Sequence, residues 1–460
     1  MAEELKPQKV EAAAQAQEAA QVKTEQPKAS NKPEYKDCLQ KLTNVGGINF
    51  IKSIFPDAEK MDPRNAASMK IFLSEKINEV KRNRLAKEIE KWLELLNQDK
   101  NAVEMANICG QNQEKYQKLF SDNLNVALGT IKNLETTYRS LDVFFKNAGA
   151  DKATNLRIMN VNKGDLQDSN SEYYKAIDEV LKNAFDRLSL KDSYSLLAIP
   201  GYVCEDKAIL LMWAKLAHKY KVMLLTDHND DQDYDSMLEN VEGYRDSDID
   251  LQNVIICSNW MLGREKQAIA DEYEGLYIPP SSALAGMLYN DNANMAQGAG
   301  GKKYGTVSEI KGVRVDMLKS ELAALASKQV VPMTFSEGRV MAFNNATLYN
   351  GDNVAMKEYP IVRVFEWVKK VLLNFLNDEV LQNWDTKVSP KELKQKIAVF
   401  LNANKGYGNL FEDYTWRADP VQDPVTKNIT MDVDIKPYFA AKNFIVKLSA
   451  DKNQKECNIE

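Results

Sequence analysis

The sequence predicts an α/β (α+β) fold in which mixed sheets are flanked by helices. Three patterns carry the prediction. Short apolar runs LRIMNV (156–161), SLLAIP (195–200), KVMLLTD (221–227) and NVIICSN (253–259) suit buried strands, and helical stretches such as residues 207–219 lie between them. That alternation indicates a largely parallel sheet. ITMDVDIK (429–436) instead alternates strictly, with Ile429, Met431, Val433 and Ile435 on a dry face and Thr430, Asp432, Asp434 and Lys436 on a wet one. Near the N-terminus, apolar residues recur every three to five positions over two long stretches, which is helical spacing.

In chain order, residues 1–34 are almost all Ala, Glu, Gln, Lys, Pro and Ser, with no aromatic before Tyr35. Such a segment cannot bury enough apolar surface to offset its ordering entropy and is expected to be disordered. Over residues 65–97 a helix is expected with Ile77, Val80, Leu85, Ile89, Trp92 and Leu96 on its apolar side. Over 113–145 a second is expected, with Leu119, Leu124, Leu128, Ile131, Leu134 and Leu141. Neither keeps clean heptads, which favours two core helices over a free coiled coil. After the α/β region come a glycine-rich loop, GAGGKKYG (298–305), and strand and turns in TFSEGRVMAFNNATLYNGD (334–352). Amphipathic helices are expected over 359–377 and 390–403, then the strand at 429–436 and a further one through Phe444, Val446 and Leu448.

Composition narrows the classes. A chain of 460 residues, 44% apolar and 27% charged, has room for two or three domains with real cores. A formal net charge of −6 gives no global basic field for nucleic acid or an anionic membrane. Five scattered cysteines without a CxxC pair read as reduced thiols in the cytosol. MAEELKPQKV has no apolar h-region, and AILLMWA (208–214) is too short to cross a bilayer, so neither a signal peptide nor membrane insertion is expected and the chain is placed in the cytoplasm.

No catalytic, cofactor or metal residues are expected from the motifs present. His218 and His228 lack the HExxH spacing, no GxSxG elbow is present, and Cys257 has no motif supplying a base. GAGGKK departs from a P-loop, since Lys302 is followed by Lys303 and no glycine stands at 296. In DQDYDSMLENVE, Asp231, Asp233, Asp235 and Glu242 fall at calcium-loop positions, but Ser236 occupies the place that requires glycine. A solvated acidic loop is the reading taken.

A resemblance then enters. Leu134, Glu135, Tyr138, Arg139 and Leu141 lie in LETTYRSL, which resembles the LExxWRGL signature of the large sheath subunit of the type VI secretion system, with Tyr138 for its tryptophan and Ser140 for its glycine. LRIMNVNKGDL (156–166) and PGYVCED (200–206) are similar to the strand and turn that follow it. EGLYIPPSSALAGML (274–288), FSEGRVMAFNNATL (335–348) and YPIVRVFEWVKKVLLNFL (359–376) resemble elements of contractile tail sheaths, related to phage sheath proteins. The family's RYVGL segment is not evident, which marks a divergent branch.

The resemblance implies a tail-sheath-like fold and a mechanical protein without an active site. Such a subunit pairs with a small sheath subunit (TssB/VipA-like), assembles helically around an inner tube (Hcp-like) on a baseplate, and contracts to drive the tube outward. An AAA+ unfoldase (ClpV-like) acts on the contracted sheath, at an N-terminal helix for which EAAAQAQEAAQ or the region after Tyr35 is the candidate here. The implied domains are a tail (1–34), a helical region contacting the small partner (35–145), an α/β middle domain (146–345) and a C-terminal α+β domain facing the tube (346–460). Ile429, Met431, Val433, Ile435, Phe444, Val446 and Leu448 become candidates for strands shared between subunits. Lys369, Lys370, Lys391, Lys394 and Lys396 become tube-facing candidates. Residues 350–353 and 402–409 are candidate hinges. The readings set against this are an α/β nucleotide-binding protein or enzyme, and a phage tail sheath that assembles alone.

Overall fold

The computed structural model describes residues 74–98, 101–149, 156–190, 193–290, 295–441, 448–449 and 456–457. The expectations for residues 1–34, for the region after Tyr35, and for Phe444 and Val446 lie outside the described residues. Among those described, the helices are α1 (Glu79–Leu96), α2 (Ala102–Ala148), α3 (Lys163–Gln167), α4 (Glu172–Phe185), α5 (Lys207–Lys219), α6 (Tyr234–Val241), α7 (Ser281–Tyr289), α8 (Gly301–Tyr304), α9 (Lys319–Ser327), α10 (Tyr359–Glu379) and α11 (Ser389–Asn404). The strands are β1 (Leu196–Ile199), β2 (Met223–Asp227), β3 (Val254–Ser258), β4 (Met261–Arg264), β5 (Leu276–Ile278), β6 (Val331–Ser336), β7 (Arg339–Ala342), β8 (Asp413–Gln422), β9 (Ile429–Lys436), β10 (Leu448–Ser449) and β11 (Glu456–Cys457).

The chain forms two compact units, one ending at Leu119 and one beginning at Phe120. In the first, α1 buries Leu85 and Ile89, one turn apart, while Ile77 and Val80 stay exposed. Lys91 lies over the Tyr116 ring, 5.7 Å from its centroid.

The second unit is built on a five-stranded sheet in the order β1-β2-β3-β6-β7, parallel from β1 to β6 and closed by antiparallel β7. Period-two alternation sorts its side chains. Leu224, Val254 and Ile256 face a cluster with Trp213 of α5, Met237 of α6 and Leu325 of α9. Met223, Leu225, Ile255 and Cys257 face the opposite cluster, with Leu284 of α7, Val143 of α2 and Tyr359 of α10. Both faces are covered, so these strands read as continuous apolar runs. The β6–β7 turn is Glu337–Gly338, with φ of 50° and 75°, the left-handed pair that a two-residue hairpin of matching twist requires.

A third cluster holds Val364 and Val368 of α10, Leu393, Ile397 and Leu401 of α11, and Phe411, with Tyr414, Trp416, Met431, Val433 and Ile435 packed against it. The expected alternation of β9 is therefore present from Met431 to Ile435, and these three residues lie on this chain's own helices, while Ile429, expected on the same face, is exposed. Its partner is antiparallel β8, Trp416 opposite Val433, a strand the sequence reading did not identify. Pro420 in β8 stands where the register shifts, between Ala418 and Val421, as proline in a strand requires. Leu448 is in β10, opposite Cys457 of β11.

Three expectations are corrected. Residues 156–161 form no strand: they enter no ladder among the described residues, and Leu156, Ile158 and Met159 are exposed. The second helix is not a core helix along its length. Only its last turns are buried, at Ser140, Val143, Asn147 and Ala148, while Ile131 and Leu134 face outward. The acidic run is not a loop, because Asp233 caps α6, its Oδ1 accepting from Ser236 N at 2.9 Å.

Candidate assembly surfaces

The LETTYRSL segment lies on α2. Glu135 Oε1 accepts from Arg139 Nε at 2.8 Å and from Arg264 Nε, on β4, at 2.9 Å. Arg264 also forks onto Glu272, Nη1 to Oε2 at 2.7 Å and Nη2 to Oε1 at 2.9 Å. Arg139 Nη1 reaches the Gly263 carbonyl at 3.0 Å. The hydrogen bonds to Glu272 and Glu135 raise the Arg264 pKa, and the same guanidinium lowers that of Glu272. The charged half of the segment thus locks α2 to the β4–β5 hairpin.

Its apolar half points the other way. Leu134 is 72% exposed and Tyr138 67%. With Phe120, Leu124 and Ile131 they fall at helical spacing on the face opposite Ser140, Val143 and Asn147, which bury into the domain. Leu141 is half-buried at the border. Phe120, Ile131, Leu134 and Tyr138 are exposed and Leu124 is half-buried, so α2 carries an apolar stripe that the rest of this chain leaves largely open.

The lysine candidates separate. Lys369 and Lys391 are exposed. Lys394 pairs with Asp419 of β8 and sits 5.2 Å from the Trp416 ring centroid, and Lys396 pairs with Glu379 at 2.6 Å. Lys370 is corrected: it is 8% exposed, its Nζ donates to the Tyr194 carbonyl at 2.7 Å, and burial lowers its pKa to about 8. It faces this chain's interior because α10 lays that side across the region preceding the central strands.

Several other polar groups serve the fold. Buried Asp227, at the end of β2, accepts from Gly201 N and Ser281 N, both at 2.7 Å, and from Ser281 Oγ at 2.5 Å. Burial still raises its pKa to about 7. Burial pushes the Cys204 thiol up to about 12 and that of Cys257 upward as well, the reverse of an activated nucleophile. His218 Nδ1 contacts Asn253 Oδ1 at 2.8 Å. In GAGGKK the glycines admit Asn345, since a Cβ at Gly298 or Gly300 would lie 2.4 Å from its Oδ1. Strand order in the sheet runs one way, without the reversal at which open α/β sheets hold nucleotides. Among the described residues no group of acidic, histidine or cysteine side chains is placed to hold a metal, and no helix is long and apolar enough to cross a membrane.

No curated protein matches the chain. Solved structures similar to it include a chain of the anti-feeding prophage baseplate (15% identity, TM-score 0.45, covering 68% of this chain and 80% of that one). Another is the anti-feeding prophage helical sheath in its contracted state (16%, 0.43, 69% and 82%). A third is the contracted sheath complex of an extracellular contractile injection system (12%, 0.43, 57% and 72%). Family models match nearly the whole sequence: the TssC/VipB-like N-terminal region over residues 35–124, the type VI secretion system TssC/VipB central domain over 126–350, and the TssC/VipB-like C-terminal domain over 358–460. The chain belongs to the TssC/VipB family and is a structural subunit of a type VI secretion contractile sheath.

Proposed function

We propose that this subunit binds a small sheath subunit (TssB/VipA-like) through the exposed stripe of α2. The resulting pairs assemble in the cytoplasm around an inner tube (Hcp-like), starting from a baseplate, and contract to expel it. The observation that carries the reading is the stripe of exposed Phe120, Ile131, Leu134 and Tyr138 with half-buried Leu124 among them, on a helix anchored by its opposite face. Docking of a partner helix on such a face follows the spacing of helix-in-groove recognition.

Contraction needs no site chemistry. A few kcal/mol released per subunit, summed over a lattice, is enough to make a two-state transition effectively one-way. Within this scheme residues 35–145 serve the small partner, 146–345 form the middle domain, and 346–460 face the tube. The exposed N-terminal helix of a contracted sheath would recruit an AAA+ unfoldase (ClpV-like). The two-stranded β8–β9 sheet has outer edges unpaired among the described residues, and a neighbour's strand added there would make it a stable sheet.

The test is co-expression with the adjacent small-subunit gene. Leu134→Asp with Tyr138→Asp should abolish the co-purified pair and all sheaths seen by electron microscopy, while the circular-dichroism melt stays unchanged. Recovery of normal pairs from the double variant would refute the stripe as the docking face.

A further inference from the structure

The family models for the central and C-terminal domains end at residue 350 and begin at residue 358. The join between them opens with the only Asn-Gly pair in the 460-residue sequence, Asn350–Gly351. The chain is fixed on both sides of this pair. Asn350 N donates to the Asp246 carbonyl at 2.7 Å, and Tyr349 forms a parallel bridge with Asp246. Downstream, Asn353 caps the short 3-10 helix Val354–Lys357, its Oδ1 accepting from Ala355 N at 3.1 Å. Between these anchors, neither the Asn350 carboxamide nor the Gly351 N–H makes a hydrogen bond among the described residues, and Asn350 is exposed.

The fold imposes the glycine. A Cβ on Gly351 would collide with the hydroxyl end of Tyr349, whose side chain is buried and cannot swing away freely. The main-chain nitrogen after Asn350 is therefore left unshielded by a side chain of its own residue. Three nearby asparagines set the contrast. Asn344 Nδ2 donates to the Val330 carbonyl at 2.8 Å, Asn345 Oδ1 accepts from Tyr359 Oη at 3.3 Å, and Asn353 is the cap already described. The residues that follow these three are Asn345, Ala346 and Val354, each with a side chain. Of the four, Asn350 alone combines a free carboxamide with a following glycine.

We propose that Asn350 is a site of spontaneous deamidation, which converts the ageing chain, without an enzyme, into aspartate and isoaspartate forms at the join between its central and C-terminal domains. The Gly351 nitrogen, on losing its proton, attacks Asn350 Cγ. The N–Cγ bond forms, the Cγ–Nδ2 bond breaks, and ammonia leaves with a proton. Both groups belong to adjacent residues, so the closure is intramolecular and gives a five-membered succinimide. Water then opens the ring. Breaking the new Cγ–N bond leaves aspartate; breaking the original peptide C–N bond leaves isoaspartate, whose main chain runs through Cγ and is one methylene longer. Water is the only co-reactant. Either product adds a negative charge two residues from Asp352, and isoaspartate also shifts the chain where Gly351 packs on Tyr349.

Trypsin releases residues 340–357 as one peptide that carries all four asparagines. The full chain is aged at physiological temperature for days, at mildly acid and mildly alkaline pH, with an unaged sample as baseline and melting curves to verify that it stays folded. The peptide is then read by mass spectrometry and by isoaspartyl methyltransferase labelling. Conversion at Asn350 should exceed that at Asn344, Asn345 or Asn353 by at least about tenfold. It should also run faster at the alkaline pH, where the Gly351 amide loses its proton more readily. Asn350→Gln, which closes only through a slower six-membered ring, should cut isoaspartate labelling of the peptide by about tenfold or more. A folded chain whose Asn350 remains an amide throughout, equal conversion at Asn353, or undiminished labelling in Asn350→Gln would each overturn the proposal.

Discussion

Arg264 Nε donates to Glu135 Oε1 at 2.9 Å, joining residues 129 positions apart in the chain. Both side chains are mostly buried, at 12% and 15% exposure, so the pair is worth more than a surface ion pair. Glu135→Ala should destabilise the second unit by about 2–3 kcal/mol, because it leaves two guanidinium groups short of an acceptor. Glu135→Gln, keeping one acceptor, should cost about half as much. Urea unfolding measures both; a loss under about 0.5 kcal/mol for the alanine variant would reduce the lock to an ordinary surface contact.

KVMLLTD and NVIICSN were legible because both faces of their strands are buried, which removes polar alternation altogether. The partner of β9 was not legible: YTWRADPVQ alternates only at Tyr414 and Trp416 before Arg417, Asp419 and Pro420 interrupt it. LRIMNV and the Leu134 stripe misled in the same way. Apolar spacing shows which residues share a face, and does not say whether this chain buries that face. Lys370 shows the converse, since spacing puts it on a helix face but only tertiary packing turns that face inward.

The pH dependence of stability should carry a mark from Asp227. Its folded pKa, about 7, lies above the ordinary 3.8, so between those values the folded state holds a proton that the unfolded state has lost. Stability contributed by the protonated form is therefore full near pH 4 and declines as pH rises to about 7, by a few kcal/mol at most. Denaturation curves at pH 5 and 8 for the natural chain and Asp227→Asn should show the difference between them changing across this window. A constant difference would mean that Asp227 is ionised throughout.

Lys369 and Lys391 are exposed and carry no ion pair among the described residues, which leaves them as the tube-facing charges of the proposed function. Lys369→Glu with Lys391→Glu should lower the yield of extended sheath around its tube without changing the melting temperature. Raising salt towards 1 M should weaken assembly of the natural chain and have less effect on the variant, as the Debye length falls to about 3 Å. Identical yields and salt profiles would remove both lysines from that interface.

The β8–β9 hairpin separates folding from assembly. Val433 lies opposite Trp416 and packs on the α10–α11 cluster, so Val433→Pro should both lower the melting temperature by several degrees and prevent sheath formation, through a lost ladder donor and disturbed packing. The sharper variant is at the far end, where Ile429 is exposed beside the exposed Val421 and Val425. With little of its own chain against it, Ile429→Asp should change stability by no more than about 0.5 kcal/mol. If a neighbouring subunit's strand covers this end, a carboxylate there faces desolvation on assembly and sheath yield should fall at least about tenfold. Asp432→Asn, on the wet face of the same strand, should leave both quantities unchanged. Electron microscopy of co-expressed complexes, with melting curves on the same preparations, reads the three variants together. Full-length sheaths from Ile429→Asp would show that this end of the hairpin meets solvent in the assembled state and that no shared strand is completed there.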